Sequence, residues 1–310
     1  MSKTISIVIP CFNEQESIFL FYDAVEKVKP SLRGYDIEYV FVNDGSKDQT
    51  LNILRKLHQK DEKSIHYLSF SRNFGKEAAL YAGLQASKGD YVAVMDVDLQ
   101  DPPAQLIPML EGIEDEGYDI VGTRRMNRKG EPMIRSFFSQ LFYKMINKIS
   151  HTQFLNGVRD FRLMTRQVVN AVLQMSEYNR FSKGLFSWVG FDVKYLEYSN
   201  RDRIAGKTSW SFWGLFKYSI EGIVNFSEMP LAIASYTGLV SFIISLVSIL
   251  FIILRKIFFG GSVNGWASMI SVILLIGGIQ LFCLGILGRY IGNLYLEAKR
   301  RPIYIIKEKN

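Results

Sequence analysis

Two stretches of the chain, Met229 to Leu254 and Ile257 to Gly288, contain no charged residue, and each exceeds the roughly 20 residues an α-helix needs to cross a bilayer core. Helices of soluble proteins keep a polar face, so runs of this kind predict membrane spans rather than a pair of buried core helices. The polar and glycine-rich segment "RKIFFGGSVNGW" interrupts the pattern and predicts a short turn. Two spans, at about 231–254 and 267–288, then form a hairpin within residues 229–290.

The opening "MSKTISIVIPCFNE" is not a signal peptide, because Asn13 and Glu14 end the apolar stretch almost at once. The long front section is therefore expected in the cytosol. Two spans return the tail, 291–310, to the same side, and its "EAKRRPIYIIKEKN" carries the basic cluster that the positive-inside rule requires there. Arg255 and Lys256 at the far turn weaken that orientation without reversing it. The expected location is the cell membrane, multi-pass, with both termini cytosolic. A net charge of +7 suits an anionic membrane surface or phosphorylated substrates, and equally suits plain solubility. The two cysteines, Cys11 and Cys283, lie in such different settings that free thiols are expected.

In the front section, β-rich runs alternate with helix-like segments. "ISIVIP" precedes Gln15–Lys27, "IEYVFVND" precedes Thr50–Lys60, and "IHYLSF" precedes Lys76–Ser87; "YVAVMD" is followed by Pro103–Glu116 and then "YDIVGTR". This alternation predicts an α/β fold, a mostly parallel sheet wrapped on both faces, with ligands beyond the carboxyl ends of the strands. Polar residues collect at those ends: "CFNE", "NDGS", "SRNFG" and "DVDLQD". Four consecutive polar strand ends describe one crevice, although any single polar loop would mean little. Beyond Arg124 the pattern is irregular, with "GVRDFRLM" resembling a short strand. Trp210, Trp213 and Phe216 beside Lys217 predict an interfacial amphipathic helix over 209–228, against the alternative of a helix packed on the catalytic domain.

The fourth strand ends in "VMDVDLQDPP", where Asp96, Asp98 and Asp101 stand close enough to repel one another. An Asp-x-Asp turn suits Mg²⁺ or Mn²⁺, hard ions that take a few carboxylates and complete their shell with phosphate oxygens. The alternative is a set of solvated turn acids, with Asp101 capping the helix that begins at Pro102 and Pro103. His58, His66 and His151 have no ligand spacing. There is no nucleophile elbow, no phosphate-binding Gly-x-x-x-x-Gly-Lys loop and no dinucleotide fingerprint after the first strand.

Taken in order, "VIPCFNE", "VNDGSKDQT", "SRNFGKEAAL", "MDVDLQDPP" and "GTRR" resemble the successive signatures of family 2 inverting glycosyltransferases of the GT-A fold. "GVRDFRLM", "RIAGKTSW" and the two spans narrow the resemblance to polyprenyl-phosphate glycosyltransferases, relatives of dolichyl-phosphate mannose synthase, and among them to the bacterial GtrB-type enzymes. The resemblance covers nearly the whole chain. It implies a catalytic domain over 1–208 and a nucleotide-sugar site built from Pro10, Phe12, Asn13, Glu14, Asp44, Asn73, Lys76, Asp96 and Gln100, with Asp44 toward the base and Glu14 toward the ribose. It further implies Asp98 and Asp96 on the metal, Asp98 the more direct ligand, with Gln100 and Asp101 bordering the sugar. Asp160 falls at the position of the catalytic base, with Asp98 and Asp101 as further catalytic groups. Arg124, Arg203, Lys207 and Ser209 fall where a lipid or donor phosphate is held. Cys11 departs from the Ala or Thr of many relatives.

The expected activity is inverting transfer of a hexose from a nucleotide sugar, UDP-linked in the leading reading, to polyprenyl phosphate at the cytosolic membrane face. A phosphate acceptor is already ionised at neutral pH, so Asp160 is expected to orient groups more than to remove a proton. Self-association as a homo-oligomer is a further expectation, and no nucleic-acid partner is expected. Two alternatives remain. A processive polysaccharide synthase would carry a Gln-x-x-Arg-Trp motif and more spans, whereas here "EYNRFSKG" occupies that region. A non-catalytic tether would have no need of the acid cluster.

Overall fold

The computed structural model describes residues 2–125, 144, 146–148, 157–198, 220–259 and 265–310. Its strands are β1 (Lys3–Cys11), β2 (Tyr35–Asn43), β3 (Ile65–Phe70), β4 (Tyr91–Val94), β5 (Ile120–Arg125), β6 (Val158–Thr165), β7 (Val193–Tyr198) and β8 (Ile306–Lys309). They form one sheet in the order β7-β5-β6-β4-β1-β2-β3-β8. β1 pairs in parallel with β2 and β4, β2 with β3, and β5 with β7, whereas β6 runs antiparallel to β4 and β5 and β8 antiparallel to β3. The fold is α/β with a mostly parallel mixed sheet, as the alternating pattern predicts.

Strand periodicity distributes the apolar side chains between two cores. Ile5, Ile7 and Ile9 of β1, with Tyr39 and Phe41 of β2, face a cluster that includes Phe21 and Val25 of α1 (Ile18–Val28) and Leu54 and Leu57 of α2 (Thr50–Lys60). Val8, Val40 and Val42 face the opposite cluster with Ala79, Leu80 and Ala82 of α3 (Lys76–Ala86). Each fully buried Ile, Val, Leu or Phe among these stabilises the fold by about 1.5–3 kcal/mol. α3 lies close on the sheet, for a Cβ at Gly83 would stand 2.3 Å from Val8 Cγ1. α4 (Leu106–Glu114), α5 (Arg166–Gln174) and α6 (Ser182–Trp188) complete the layers.

α1 starts later than its sequence pattern suggests. The Glu14 carbonyl accepts the Ser17 and Ile18 N–H groups, and Gln15 Oε1 accepts the Gln49 N–H at 3.0 Å, so the segment before Ile18 belongs to a turn tied to the β2–α2 loop. Pro103–Gln105 forms a single 3₁₀ turn before α4.

The described residues fall into two units. The first holds the sheet and takes back Pro302–Asn310; the second is centred on Ile223–Arg301. In the second, α7 (Met229–Phe259) and α8 (Trp266–Ala298) are long and apolar enough to cross a membrane, and Leu246, Phe251, Leu274 and Leu281 expose more than half their surface. A buried soluble pair would hide these side chains. α8 runs past Gly288 through Arg289 and Glu297. Of the expected interfacial helix, residues 220–226 are helical, and Trp210, Trp213, Phe216 and Lys217 lie outside the described residues.

Candidate active site

Parallel pairing brings the carboxyl ends of β1, β2, β3 and β4 to one edge of the sheet. β5 and β7 run in the same direction and end there too, while antiparallel β6 begins there. Residues distant in sequence therefore meet on one rim.

The loops along this rim are bonded to one another. Asp44 N–H donates to the Cys11 carbonyl at 2.9 Å, Asn13 N–H to Ser46 Oγ at 2.9 Å, and Lys47 N–H to Asn13 Oδ1 at 2.9 Å. Glu14 N–H reaches Thr50 Oγ1 at 2.9 Å, and Ser17 Oγ donates to the Glu14 carboxylate at 2.9 Å. The buried Asp44 carboxylate accepts Phe74 N–H at 2.6 Å and Gly75 N–H at 3.0 Å, tying the β2 end to the loop before α3. Burial pushes the Asp44 carboxyl up, and these N–H groups and Arg72 pull it back. Asn13 and Leu99 both hold φ of 56°, in the left-handed region that non-glycine residues enter only when their surroundings fix them there. Pro10 pairs with Val42 inside the ladder, while Phe12 and Asn73 are exposed at the rim.

The acids of the β4 turn have different partners. Asp96 Oδ1 lies 2.7 Å from Lys76 Nζ, which also donates to Asp160 Oδ2 at 2.6 Å. Asp98 is only 6% exposed and accepts the Gln100 N–H at 3.1 Å. Asp101, 3% exposed, accepts from the Tyr198 hydroxyl and from Arg159 Nε at 3.2 Å, and Arg159 Nη2 donates to Gln100 Oε1 at 2.8 Å. Burial raises the Asp101 carboxyl, Arg159 and Tyr198 oppose that shift, and Tyr198 is itself pushed up to about 12 by burial and by Asp101.

Asp160 is the most heavily compensated acid of the rim. Burial works against its charge, yet Lys76, Lys183 at 3.8 Å and Arg162 hold the carboxyl far below the usual carboxylate range. The neighbouring cations stabilise its charge and lower its basicity, which ill suits a proton acceptor and well suits an orienting group.

Asp96, Asp160 and Lys76 thus meet directly, and Gln100 and Asp101 meet at Arg159, the residue before Asp160. Arg124 lies near the end of β5 with Nη1 4.0 Å from Glu197. Arg203, Lys207 and Ser209 lie outside the described residues. Arg159, Arg162, Lys183 and Tyr198 escape sequence reasoning. "VRDF" places Arg159 beside Asp160 and gives a faint signal for it, but nothing in the sequence marks Tyr198.

No group of three or more His, Cys, Asp or Glu side chains forms a metal cluster among the described residues. The Asp96–Asp98 turn supplies two hard oxygen donors on one short loop. That set fits Mg²⁺ or Mn²⁺, which complete their shell with phosphate oxygens and water.

The family described as Glycosyl transferase family 2 matches residues 6–173. A Bacillus subtilis (strain 168) protein named as a glycosyltransferase, CsbB, is 46% identical over 99% of this chain and 92% of its own length. A prophage bactoprenol glucosyl transferase homolog of Escherichia coli (strain K12) is 44% identical over 98% of each chain. The bactoprenol glucosyl transferase of Shigella phage SfX is 43% identical over 98% of this chain and 99% of its own.

Proposed function

The chain belongs to glycosyl transferase family 2, and we propose on that premise that it transfers a glucosyl or closely related hexosyl group from a nucleotide sugar to polyprenyl phosphate, inverting the anomeric centre. The observation that carries this reading is the near full-length similarity to bactoprenol glucosyl transferases, which takes in both the acid rim and the two apolar helices. A donor linked to UDP is part of the proposal.

In the reaction, a phosphate oxygen of the acceptor attacks the anomeric carbon as the bond from that carbon to the diphosphate oxygen breaks, and the electron pair leaves with the nucleoside diphosphate. The acceptor is already ionised, so no side chain need remove a proton. Asp96 and Asp98 would hold the divalent cation, which when bound offsets charge developing on the leaving diphosphate. Asp160, fixed between Lys76 and Lys183, orients these two cations at the rim. Arg159 holds Gln100 and Asp101 where they border the sugar. The β1–α1 and β2–α2 loops, cross-bonded through Asn13 and Ser46, form the nucleoside side of the crevice, with Arg124 and the segment of Arg203, Lys207 and Ser209 on the phosphate side.

The catalytic domain in this reading is 1–208 together with the strand from the tail. β8 lies in the same sheet as β1, which supports placing both ends of the chain on one side of the membrane. Lys299, Arg300 and Arg301 support the cytosolic side. Impermeant labelling of Ser262→Cys, on a background without Cys11 and Cys283, tests this: labelling in intact cells is expected, and labelling only after lysis would contradict it.

The activity is tested by supplying purified protein with polyprenyl phosphate and a panel of UDP- and GDP-sugars, the products being weighed by mass spectrometry. A lipid carrying one hexose from a UDP-sugar is expected. Long polymer, or no transfer from any donor, would overturn the proposal.

A further inference from the structure

Asp96 already has a cation. Lys76 Nζ lies 2.7 Å from its Oδ1 and 2.9 Å from its Oδ2, and at the same time 2.6 Å from Asp160 Oδ2. An ammonium has three N–H donors, and here they are spent on two carboxylates, one in the turn after β4 and one on β6. Lys76 is the first residue of α3, directly after the Phe74 and Gly75 N–H groups that Asp44 holds. Its backbone is thus fixed to the rim while its long side chain stays half-buried and able to move. Asp160 has other cations beside it, Lys183 at 3.8 Å and the nearby Arg162, whereas Lys76 is the cation bonded to Asp96 among the described ion pairs.

A divalent ion approaching the Asp96–Asp98 turn alone meets one carboxylate already neutralised, and an ammonium in its path. The same ion arriving on a diphosphate brings anionic oxygens with it, which repay the displaced lysine. We propose that Lys76 is a displaceable internal counter-ion, a positioning residue that closes Asp96 to a metal ion alone and yields it to a metal ion carried on a nucleoside diphosphate. Metal and nucleotide then bind cooperatively, and each filling of the turn transfers Lys76 wholly to Asp160. This rests on the proposed metal role of Asp96 and Asp98.

The test is titration of full-length protein in nanodiscs with Mn²⁺, free ion being followed by electron paramagnetic resonance, with and without UDP. Without UDP, Lys76→Met should bind Mn²⁺ at least about tenfold more tightly than wild type, because a like charge beside the site has gone. Lys76→Arg, which keeps the charge, should stay weak. UDP should tighten Mn²⁺ binding strongly in wild type and much less in Lys76→Met. Lys76→Gln serves the same purpose should the methionine variant not fold. A simple structural role for Lys76 predicts weaker binding in Lys76→Met; equal or weaker Mn²⁺ binding there, with Asp98→Asn abolishing it, would overturn the inference and leave the metal site standing. Mn²⁺ binding indifferent to Asp98→Asn in every background would instead overturn the metal site, and the inference with it.

Discussion

Arg55 and Glu308, 253 residues apart in the chain, form a two-pronged ion pair, with Nε 2.8 Å from Oε1 and Nη2 2.5 Å from Oε2. Tyr67 donates its hydroxyl to the same carboxylate at 2.7 Å. Beside them Tyr304 stacks on Phe70 at 4.9 Å between ring centroids and donates to Gln85 at 2.7 Å. The tail beyond the second span is thus fastened to the edge of the sheet by both polar and aromatic contacts.

Packing should hold this tail more firmly than charge. Tyr304→Ala is expected to cost about 2 kcal/mol and Glu308→Ala under about 1 kcal/mol, since the ion pair is partly exposed to solvent. Urea unfolding of the purified protein, followed by fluorescence, measures both. Equal losses would show that the ion pair contributes as much as the stacked ring.

A pH dependence follows from Glu114, which accepts from Lys3 at 2.7 Å, Tyr91 at 2.6 Å and Tyr35 at 2.9 Å. These bonds, that from Lys3 foremost, hold its carboxyl down at about 2. The folded value lies below the unfolded one near 4.3, so the stabilisation is complete above about pH 5 and is lost as pH falls toward 2. The difference in thermal midpoint between wild type and Glu114→Gln should shrink over that window. A difference unchanged down to pH 2.5 would contradict this account.

Gly45 resists replacement. Its φ is +65°, and a Cβ there would stand 2.3 Å from the Arg72 carbonyl carbon, so the β2 and β3 loops would have to part. Gly45→Ala should cost about 2 kcal/mol or more and, with the β2–α2 loop on the nucleoside side as proposed, should weaken nucleotide binding. Calorimetric titration with UDP checks it; unchanged affinity would mean that the nucleotide does not touch these loops.

At the sugar side, Arg159→Ala removes the charged partner of a buried carboxylate and should cost about 3 kcal/mol, whereas Tyr198→Phe should cost roughly 1 kcal/mol. Both should lower kcat more than they raise the KM for the donor if Asp101 and Gln100 act on the sugar during transfer. A pure KM effect would assign them to donor binding alone.

Asp98→Ala should reduce transfer by about a thousandfold or more, and chelation of the wild type should do the same reversibly. Full activity in excess chelator would refute a role for the metal.

The sequence made the rim legible where strand and helix alternate. α2 begins at Thr50 and α3 at Lys76, as the pattern predicts, because α2 is amphipathic enough to show its period and α3, buried from Ala78 to Leu84, is set off from the apolar β3 by a polar, glycine-bearing turn. β7 and β8 were hidden. "VKYLEY" and "IKEK" are short, half-exposed and charged, as strands at the margins of a sheet tend to be, so their period carries little apolar signal. The approach of Tyr198 to Asp101 depends on β7 pairing with β5, a long-range choice that no local spacing encodes. The Asp96–Lys76–Asp160 bridge depends likewise on β6 entering the sheet antiparallel beside β4, which brings the start of one strand to the end of another.

The place of β8 bears on how the molecule is made. Its residues follow both spans in the chain, yet they cover the outer edge of a sheet whose other strands are all synthesised before either span. Until the hairpin has been threaded, the β3 backbone groups that β8 will pair lie open, with Leu68 and Phe70 beside them. In the proposed topology, a nascent chain whose second apolar helix failed to return would leave the strand on the wrong side of the bilayer and the edge uncovered. With α7 and α8 crossing a membrane as proposed, completion of the sheet would record correct insertion of both, and a chain inserted wrongly would keep an open sheet edge.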